Sequence, residues 1–280
     1  MSSKAGTRPN VDIRERVLPS GLTLIAAHNP TSKTCASAIN LKVNSLDERP
    51  GEEGLASMPG GCLDEGTPQR SGDALAQAVE SLGGSLDTSA AGGSIQCPAE
   101  HLEAALALLD EAVFEPSFPE PDGQRVCDET LAEIEAEQHE PRTIARRKFR
   151  STIYGEHPFA RPSYGSAEQV QAVTPDKLRA WHERQFVVEN GIVATCGPED
   201  PDRALDLLEA RFSSRGGALS ERPAVVSAPM RDTTSDEHTA MDREQVHVFV
   251  GHLGIRRLDP DYHALLGMDH VLGTGPGFTS

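Results

Sequence analysis

The stretch from Gly54 to Thr67 reads GLASMPGGCLDEGT, and its composition conflicts with a regular helix. A helix over residues 53–62 would carry Pro59 in its interior, and proline has no backbone N–H to donate to the preceding turn. Gly60 and Gly61 follow directly and add two flexible positions without side chains. We therefore predict that a helix over 53–62 is broken or shortened.

This stretch resembles the zinc-site helix of the pitrilysin/insulinase-type metallopeptidases, a family that includes the mitochondrial processing peptidases. In that family the motif reads Gly-Leu-Ala-His-x-x-Glu-His-x-x-x-x-Gly-Thr, where two histidines bind zinc and the glutamate is the general base. Here Ser57 and Gly61 occupy the histidine positions, and Gly60 occupies the glutamate position. The rest of the motif is kept at Gly54, Leu55, Ala56, Gly66 and Thr67. Active relatives use zinc, whereas neither zinc nor another cofactor is expected in this chain.

Further segments extend the resemblance in the same order along the chain. Residues 18–24 resemble the family's opening strand, residues 81–90 a corner between a helix and a strand, and residues 154–165 a Tyr-Gly-x-His-Pro loop. Together with the motif they cover most of residues 18–212. The resemblance implies an α+β fold: a two-layer domain with helices on one face of a twisted, mainly antiparallel sheet, followed by an incomplete second copy.

Hydrophobic periodicity places the individual elements. Alternating segments predict strands near 22–28, 37–44, 85–97 and 191–197. Segments with helical spacing predict helices near 71–82, 101–114, 122–140, 143–153 and 174–185. Three ends carry local signals, a left-handed C-cap at Gly83, an N-cap at Thr174, and an N-cap at Ser166 with Glu168 as its capping glutamate.

Active relatives take a third zinc ligand, a glutamate, from a helix about seventy residues after the motif, and the resemblance puts Glu133 at that position. A lone carboxylate cannot hold zinc, because a catalytic site needs three protein ligands. Glu133 also lies between Glu129 and Glu137 at i, i+4 spacing, which is typical of a solvated helix face. His157 and His182 are candidate ligands or bases, but packed or hydrogen-bonded roles are expected for both.

The five cysteines, at positions 35, 62, 97, 127 and 196, are odd in number and widely spaced. This pattern argues against a disulfide framework or a zinc ribbon, so reduced and mostly buried thiols are expected. Cys62 directly follows the second histidine position and is a candidate ligand or nucleophile. Since no histidine is near it in sequence, we expect it to pack in the interior instead.

The net charge of −17 over 280 residues argues against nucleic acid and anionic membrane surfaces as partners, because both would be repelled. A basic peptide or protein is compatible with this charge. No stretch of the sequence approaches the roughly 20 apolar residues of a membrane span. Residues 1–16 contain no apolar core of a secretory signal, so a cytoplasmic location is expected.

Composition and the resemblance divide the chain into three parts. Residues 1–212 form the peptidase-like domain, residues 213–231 form a polar linker, and residues 232–280 begin a second, similar domain that is truncated. In the last part, the alternation from Gln245 to Val250 predicts a strand, and a helix is predicted from Asp259 to Gly273. A fragment of this size cannot bury its own apolar face.

Three hypotheses for the function follow. The first is a non-catalytic homologue that binds extended peptides, or has a structural role, as the heterodimeric partner of a homologous subunit with an intact zinc motif. Peptide binding by strand addition uses backbone hydrogen bonds and needs no catalytic residue. The second is an active zinc endopeptidase with relocated ligands, Glu133 with some of His139, His157 and Cys62, which no spacing in the sequence supports. The third is a core-type scaffold subunit of a larger complex.

Overall fold

Six strands form a single sheet in the computed structural model, which describes residues 12–189, 191–229 and 233–274. The strands are β1 (Asp12–Val17), β2 (Thr23–His28), β3 (Thr34–Asn40), β4 (Ser85–Ser89), β5 (Gly92–Pro98) and β6 (Ile192–Gly197). Their order in the sheet is β1-β2-β6-β3-β5-β4. The β2–β6 pair is parallel, and the other neighbouring pairs are antiparallel. The sheet is therefore mixed and mostly antiparallel, which confirms the α+β class.

The described residues divide into two compact units, one up to residue 139 together with 162–225, and one of 140–161 together with residues from 226 onward. The first unit contains the sheet and six helices: α1 (Gly72–Ser81), α2 (Leu102–Phe114), α3 (Glu120–Gln138), α5 (Ala167–Gln171), α6 (Pro175–Gln185) and α7 (Pro201–Phe212). The second contains α4 (Pro141–Tyr154) and α8 (Tyr262–Asp269). The five helices predicted before residue 190 are confirmed, with ends within two residues of the predicted ones.

One face of the sheet borders the hydrophobic core. Alternate strand residues point to this face, and Leu24, Ile39, Ile95 and Val193 are each at most 2% exposed. Helix α2 packs against β3 and β5, and α7 packs against β1 and β2. The opposite face carries small or polar side chains that are partly or fully exposed, among them Ala36, Ala38, Ser94, Ala194 and Cys196. We call this second surface the open face.

The predicted single strand over 85–97 is wrong, because the segment is a hairpin. β4 ends at Ser89, and β5 begins at Gly92 and runs back antiparallel to it. Gly92 has a φ of +141°, and a Cβ atom on it would lie 2.2 Å from the carbonyl oxygen of Ile39. Only glycine allows this conformation and this contact with β3.

Other strand boundaries also differ from the predicted ones. The strand predicted over 37–44 begins earlier, at Thr34, and ends at Asn40. β1 was outside the predicted set, because nearly all of its residues are exposed and the apolar alternation is weak. The strands predicted near 22–28 and 191–197 are confirmed as β2 and β6.

Two predicted caps are confirmed. Gly83 adopts a left-handed φ of +67° after α1, and its N–H donates to the Glu80 carbonyl at 2.8 Å. The Thr174 hydroxyl oxygen caps α6 by accepting a hydrogen bond from the Lys177 N–H at 3.3 Å. Both bonds satisfy backbone groups that a helix end leaves without an intrahelical partner.

The Ser166 cap is confirmed, but its predicted capping residue is wrong. The side chain that reaches back to the Ser166 N–H is Gln169, whose Oε1 accepts at 2.7 Å. In a capping box the reciprocal acceptor is the third helical residue. Glu168 is one residue too early for this role, whereas Gln169 has the correct spacing.

Residues 215–225 form neither helix nor strand, yet side chains fasten them to the first unit. Arg215 makes two bonds of 2.9 Å to the carboxylate of Asp110 on α2. Arg222 donates to Asp47 at 2.7 Å. The stretch that the composition marks as a linker is therefore attached to the domain that precedes it over its first half.

The strand predicted from Gln245 to Val250 is wrong for the structure. Within the described residues this segment pairs with no strand, and Val246, Val248 and Val250 are 85%, 74% and 90% exposed. A strand needs a neighbour to satisfy its backbone N–H and C=O groups. The alternation of apolar residues is present, but the described chain supplies no partner for it.

The last predicted helix has a different start in the structure. It begins at Tyr262 rather than at Asp259, whose side chain instead accepts from the Asp261 N–H at 3.0 Å. Its end lies within one residue of the predicted Gly273, because a π-helical turn continues the helix over His270–Thr274. Within the described ranges, every helix is too short or too polar to cross a membrane.

Candidate functional site

The motif segment is not a helix. It consists of two short 3-10 turns, Leu55–Ser57 and Pro59–Gly61, which confirms the predicted break. Pro59 is the first residue of the second turn, where its missing N–H leaves no intrahelical bond unmade. Gly54, before the first turn, has a left-handed φ of +96°.

A buried carboxylate holds the start of the segment. Glu48 is 6% exposed, and its Oε1 accepts hydrogen bonds from the N–H groups of Gly54 at 2.9 Å and Ala56 at 3.0 Å. The Ser57 hydroxyl donates to the Gly54 carbonyl at 2.8 Å. At the first histidine position, the side chain thus closes its own turn.

Two glycines allow a direct backbone contact between the start of the motif segment and the loop before α5. A Cβ atom on Gly54 would lie 2.1 Å from the Tyr164 carbonyl oxygen, and one on Gly165 would lie 2.3 Å from the Glu53 carbonyl oxygen. The two backbones can touch only because both positions lack side chains. This contact fixes the loop before α5 against the motif segment, so Gly54 is required for packing.

Position 60 has no room for a side chain. A Cβ atom on Gly60 would lie 2.6 Å from the backbone nitrogen of Ala90 and 2.6 Å from the carbonyl carbon of Ser89, in the β4–β5 turn. The Thr88 hydroxyl donates to the Gly60 carbonyl at 2.7 Å and ties the second turn to β4. Since the obstructing atoms are backbone, they cannot rotate away as a side chain would.

Position 61 is less constrained. A Cβ atom on Gly61 would meet a methyl group of Val126 on α3 at 3.0 Å, and such a side chain can shift. Arg125, also on α3, donates to the Gly61 carbonyl at 3.2 Å and pairs with Glu65. These contacts fasten the second turn to α3.

Cys62 is a core residue. It is fully buried, and burial raises the pKa of its thiol to about 12. The thiolate is the form that attacks substrates and binds metals, and it is scarce at neutral pH for such a group. The interior position agrees with the packing role expected from the sequence, and the other cysteines follow the expectation for thiols: Cys35, Cys97 and Cys127 are buried, and Cys196 is exposed.

Glu133 lies on the exposed side of α3, whereas its neighbour Ile134 is buried. Glu129 is exposed and pairs with Arg125, while Glu137 accepts a hydrogen bond from the Tyr164 hydroxyl. In the parts of the chain that the structure describes, no group of three or more histidine, cysteine, aspartate or glutamate side chains is arranged to hold a metal ion.

The histidines considered as relocated ligands have other surroundings. His157 Nδ1 accepts from the Phe159 N–H at 3.1 Å, and its ring packs against those of Tyr154 and Phe159. His139 is exposed at the C-terminal end of α3. Neither residue joins Glu133 or Cys62 in a metal-holding group of the described chain.

His182 on α6 is a packed core residue. Its Nε2–H donates to the Val113 carbonyl at 2.8 Å, and its ring stacks on Phe186 with centroids 4.4 Å apart. Burial lowers the pKa of His182 to about 4, against the hydrogen bond to Val113, which raises it. The imidazole is therefore neutral at physiological pH and stabilises the contact between α6 and α2.

A free strand edge lies beside the motif segment, and the sequence analysis missed it. β4 is the last strand of the sheet, and within the described residues it pairs with β5 alone. The hydrogen bond from the Leu41 N–H to the Ala91 carbonyl shows which residues of β5 direct their backbone N–H and C=O groups toward β3. The residues of β5 between them direct these groups toward β4. By that alternation, the N–H and C=O groups of Leu86 and Thr88 point outward. Because a single strand is predicted over 85–97, the prediction contains neither the hairpin nor the free edge of β4.

Comparison with known families identifies the family of the chain through a match that includes the motif segment. The family model described as insulinase (peptidase family M16) matches residues 23–167, just over half of the chain and including the motif segment. The chain belongs to the M16 peptidase family. A second model, the peptidase M16 inactive domain, matches residues 172–279 of this M16 member.

Several curated relatives of this M16 member carry the name zinc protease. An uncharacterized zinc protease of Mycobacterium leprae is 28% identical over 241 residues, which is 84% of this chain and 54% of the relative. One from Streptomyces coelicolor is 26% identical over 273 residues, 94% of this chain and 59% of the relative. A probable mitochondrial-processing peptidase subunit beta of Arabidopsis thaliana is 21% identical over 269 residues, covering 94% and 51%. The chain spans about half the length of the curated relatives it matches.

Solved structures share the fold. The peptidase M16 inactive domain from Pseudomonas fluorescens superimposes with a TM-score of 0.78 at 23% identity, covering 95% of this chain and 65% of that one. Pitrilysin superimposes with a TM-score of 0.66 at 20% identity, covering 80% of this chain and 25% of that one. These likenesses establish the M16-like architecture of the α+β domain.

Proposed function

We propose that this M16 family member is a non-catalytic homologue that binds extended peptides as the partner of a subunit with an intact zinc motif. The observation that carries the proposal is the lack of space for a side chain at position 60. A Cβ atom on Gly60 would lie 2.6 Å from the backbone nitrogen of Ala90. The family resemblance expects the general base at position 60. This chain lacks that carboxylate, and a glutamate there would have to displace the β4–β5 turn.

The proposal assigns no zinc to this chain. A catalytic zinc ion needs three protein ligands and an open position for water. Of the four positions that bear on this, Ser57 closes its own turn, Gly61 has no side chain, Cys62 is a buried thiol and Glu133 points to solvent. In the heterodimer that we propose, the homologous subunit supplies the metal and the general base.

Peptide binding by strand addition is the proposed role of β4. The outward backbone groups of Leu86 and Thr88 can extend the antiparallel sheet by one strand, and this mode needs no catalytic side chain. The side chains of Ser85, Asp87 and Ser89 lie on the open face beside that edge and are exposed. Asp87 and the net charge of −17 favour a basic peptide.

N-methylated peptides test the binding mode. An extended basic peptide that binds the chain is prepared in two versions, each methylated on the backbone nitrogens of alternate residues. Strand addition uses the N–H groups of every second residue, so we expect one version to lose at least about tenfold in affinity and the other to bind like the parent. Fluorescence anisotropy gives the affinities, and equal binding of both versions would contradict edge pairing.

A second experiment tests the partner. The chain is mixed with a purified homologue from the same genome that carries an intact His-x-x-Glu-His motif. We expect a stable complex on size-exclusion chromatography, and peptide cleavage by that complex that a chelator abolishes. Recovery of the chain in a large assembly without such a homologue would contradict the peptidase partnership and favour the scaffold hypothesis.

A further inference from the structure

Two cysteines face each other inside the sheet. Cys35 of β3 is paired with Cys97 of β5 in the antiparallel register, and their sulfur atoms lie 3.3 Å apart. Both side chains point to the core and are 3% exposed. Neither contributes to the motif segment or to the free edge of β4.

The separation of the backbones at this pair is within the range that a disulfide spans. The Ala99 N–H donates to the Lys33 carbonyl at 3.0 Å, and these residues lie two positions from Cys97 and Cys35. Hydrogen-bonded and non-hydrogen-bonded pairs alternate along an antiparallel ladder, so this bond shows which type each pair is. Cys35 and Cys97 are therefore a hydrogen-bonded pair, for which the Cα atoms are about 5.5 Å apart. Disulfides span roughly 4.4–6.8 Å between Cα atoms, most often near 5.5–6 Å. Their Cβ atoms are about 3.5–4.5 Å apart, against about 4.5–5.5 Å in opposed strand pairs, so the two strands must move together by up to about 1 Å when the bridge forms.

Glycines hold both cysteines in place. A Cβ atom on Gly197 would lie 3.0 Å from the Cβ of Cys35, and one on Gly84 would lie 3.2 Å from the Cβ of Cys97. Because these glycines have no side chains, their backbones lie directly against the cysteines and limit their movement. The two thiols are thus kept opposite each other.

We propose that Cys35 and Cys97 are a redox modification site that forms a cross-strand disulfide with glutathione disulfide, or a similar small disulfide, as the oxidant. One thiolate attacks the glutathione disulfide, forms a mixed disulfide and releases one glutathione. The second cysteine then attacks the mixed disulfide and releases the other glutathione. The two cysteine thiols lose two protons and two electrons, and one glutathione disulfide becomes two glutathione thiols.

The reaction is slow in the closed sheet. Burial raises the pKa of the Cys97 thiol to about 12, with a further contribution from the contact with Cys35, so little thiolate is present at neutral pH. The oxidant also has no direct path to sulfur atoms that are 3% exposed. The bridge therefore forms when the strands open transiently, and once formed it is shielded in the same way from reductants.

The bridge changes stability because it closes a long loop. Cys35 and Cys97 are 62 positions apart, and a cross-link over such a distance restricts the unfolded chain strongly. We expect the oxidised chain to melt roughly 5–10 °C higher than the reduced chain, a difference that a strong thiol reductant removes.

The test uses the full chain with Cys196→Ser, which removes the exposed thiol and prevents bridging between molecules. The folded protein is incubated with glutathione disulfide in guanidinium chloride below its unfolding midpoint, where opened strands are more frequent. After acid quenching, alkylation and proteolysis without reductant, mass spectrometry is expected to find one linked peptide that contains Cys35 and Cys97. After removal of the guanidinium chloride, the melting temperature is compared with that of a portion that was first reduced at the same denaturant concentration, where the buried bridge becomes accessible.

Matched variants separate this pair from the other thiols. Cys127→Ser, which removes another buried thiol, is expected to leave the linked peptide and the stability gain intact, whereas Cys35→Ser abolishes both. If Cys35→Ser does not fold, the peptide map of the Cys196→Ser chain decides alone. Free thiols at both positions after prolonged incubation, linkage to another cysteine, or a bridge that lowers the melting temperature would overturn the proposal.

Discussion

Gly60 and Gly61 stand side by side in the motif segment, but their surroundings impose different limits. The position of a Cβ atom on Gly60 is blocked by backbone, whereas that on Gly61 meets only a methyl group of Val126. A substitution that adds a side chain would therefore be hindered more strongly at position 60 than at position 61. At position 60, where the family resemblance expects the general base, this chain has no space for a side chain.

Gly60→Ala is expected to destabilise the protein by about 1–3 kcal/mol, because the new methyl group overpacks against the β4–β5 turn. Gly216→Ala is the matched control, since a Cβ atom there has no neighbour within 4 Å. Chemical denaturation measures the free energy of unfolding of both variants. Equal stability of the two would show that the β4–β5 turn can yield, and would remove the steric argument against a side chain at position 60.

The buried His182 predicts a pH dependence of stability. Its pKa is about 4 in the folded chain, against about 6.5 for an unperturbed histidine. Between these values the unfolded chain takes up a proton that the folded chain does not, so stability is lost as pH falls from about 6.5 to about 4. The loss at the acid end is up to about 3 kcal/mol. Unfolding free energies of wild type and His182→Leu across this range check it, and an identical slope in both would contradict this role.

At the scale of the elements, predictions succeeded where a local signal was present. Thr174, Ser166 and Gly83 mark helix ends with chemistry that is visible in the sequence, and all three ends are found. The β4–β5 turn at residues 90–91 consists of two alanines, which carry no turn signal themselves. Gly92 and Gly93 directly after them are a turn signal that the single predicted strand does not take into account. Residues 245–250 have the composition of a strand, but pairing depends on a partner that the segment itself cannot encode.

The attachment of residues 215–225 to α2 depends on a buried carboxylate. Burial raises the pKa of Asp110, and the Arg215 guanidinium opposes that shift through two hydrogen bonds. Arg215→Ala is expected to cost about 3 kcal/mol, because it leaves the buried carboxylate without its main partner. Arg14→Ala, at an exposed pair with Asp12, is the control and is expected to cost much less, because exposed ion pairs contribute little to stability.

A double-mutant cycle isolates this pair. Asp110→Ala with Arg215→Ala removes both charges, so its cost is expected to be smaller than the sum of the two single variants. Thermal and chemical denaturation give the three values. Strict additivity would mean that the pair does not hold the segment to the domain.

At the scale of the whole molecule, the sequence predicted the family and the α+β class from ordered motifs along residues 18–212. It also predicted the break in the motif helix, because Pro59 and the glycines after it act locally. The tight contact at Gly60 and the free edge of β4 were not predicted from the sequence. The contact at Gly60 joins residues more than twenty positions apart in sequence, and only the tertiary structure contains it. The free edge depends on the β4–β5 hairpin and on the place of β4 at the end of the sheet.

The central claim is that the chain binds an extended peptide without cutting it, and peptide hydrolysis tests this claim most directly. The isolated chain is incubated with a peptide that it binds, with zinc added, and with or without the chelator 1,10-phenanthroline. Mass spectrometry then determines the peptide products. The account predicts an intact peptide under both conditions, and cleavage fragments that disappear with the chelator would contradict it.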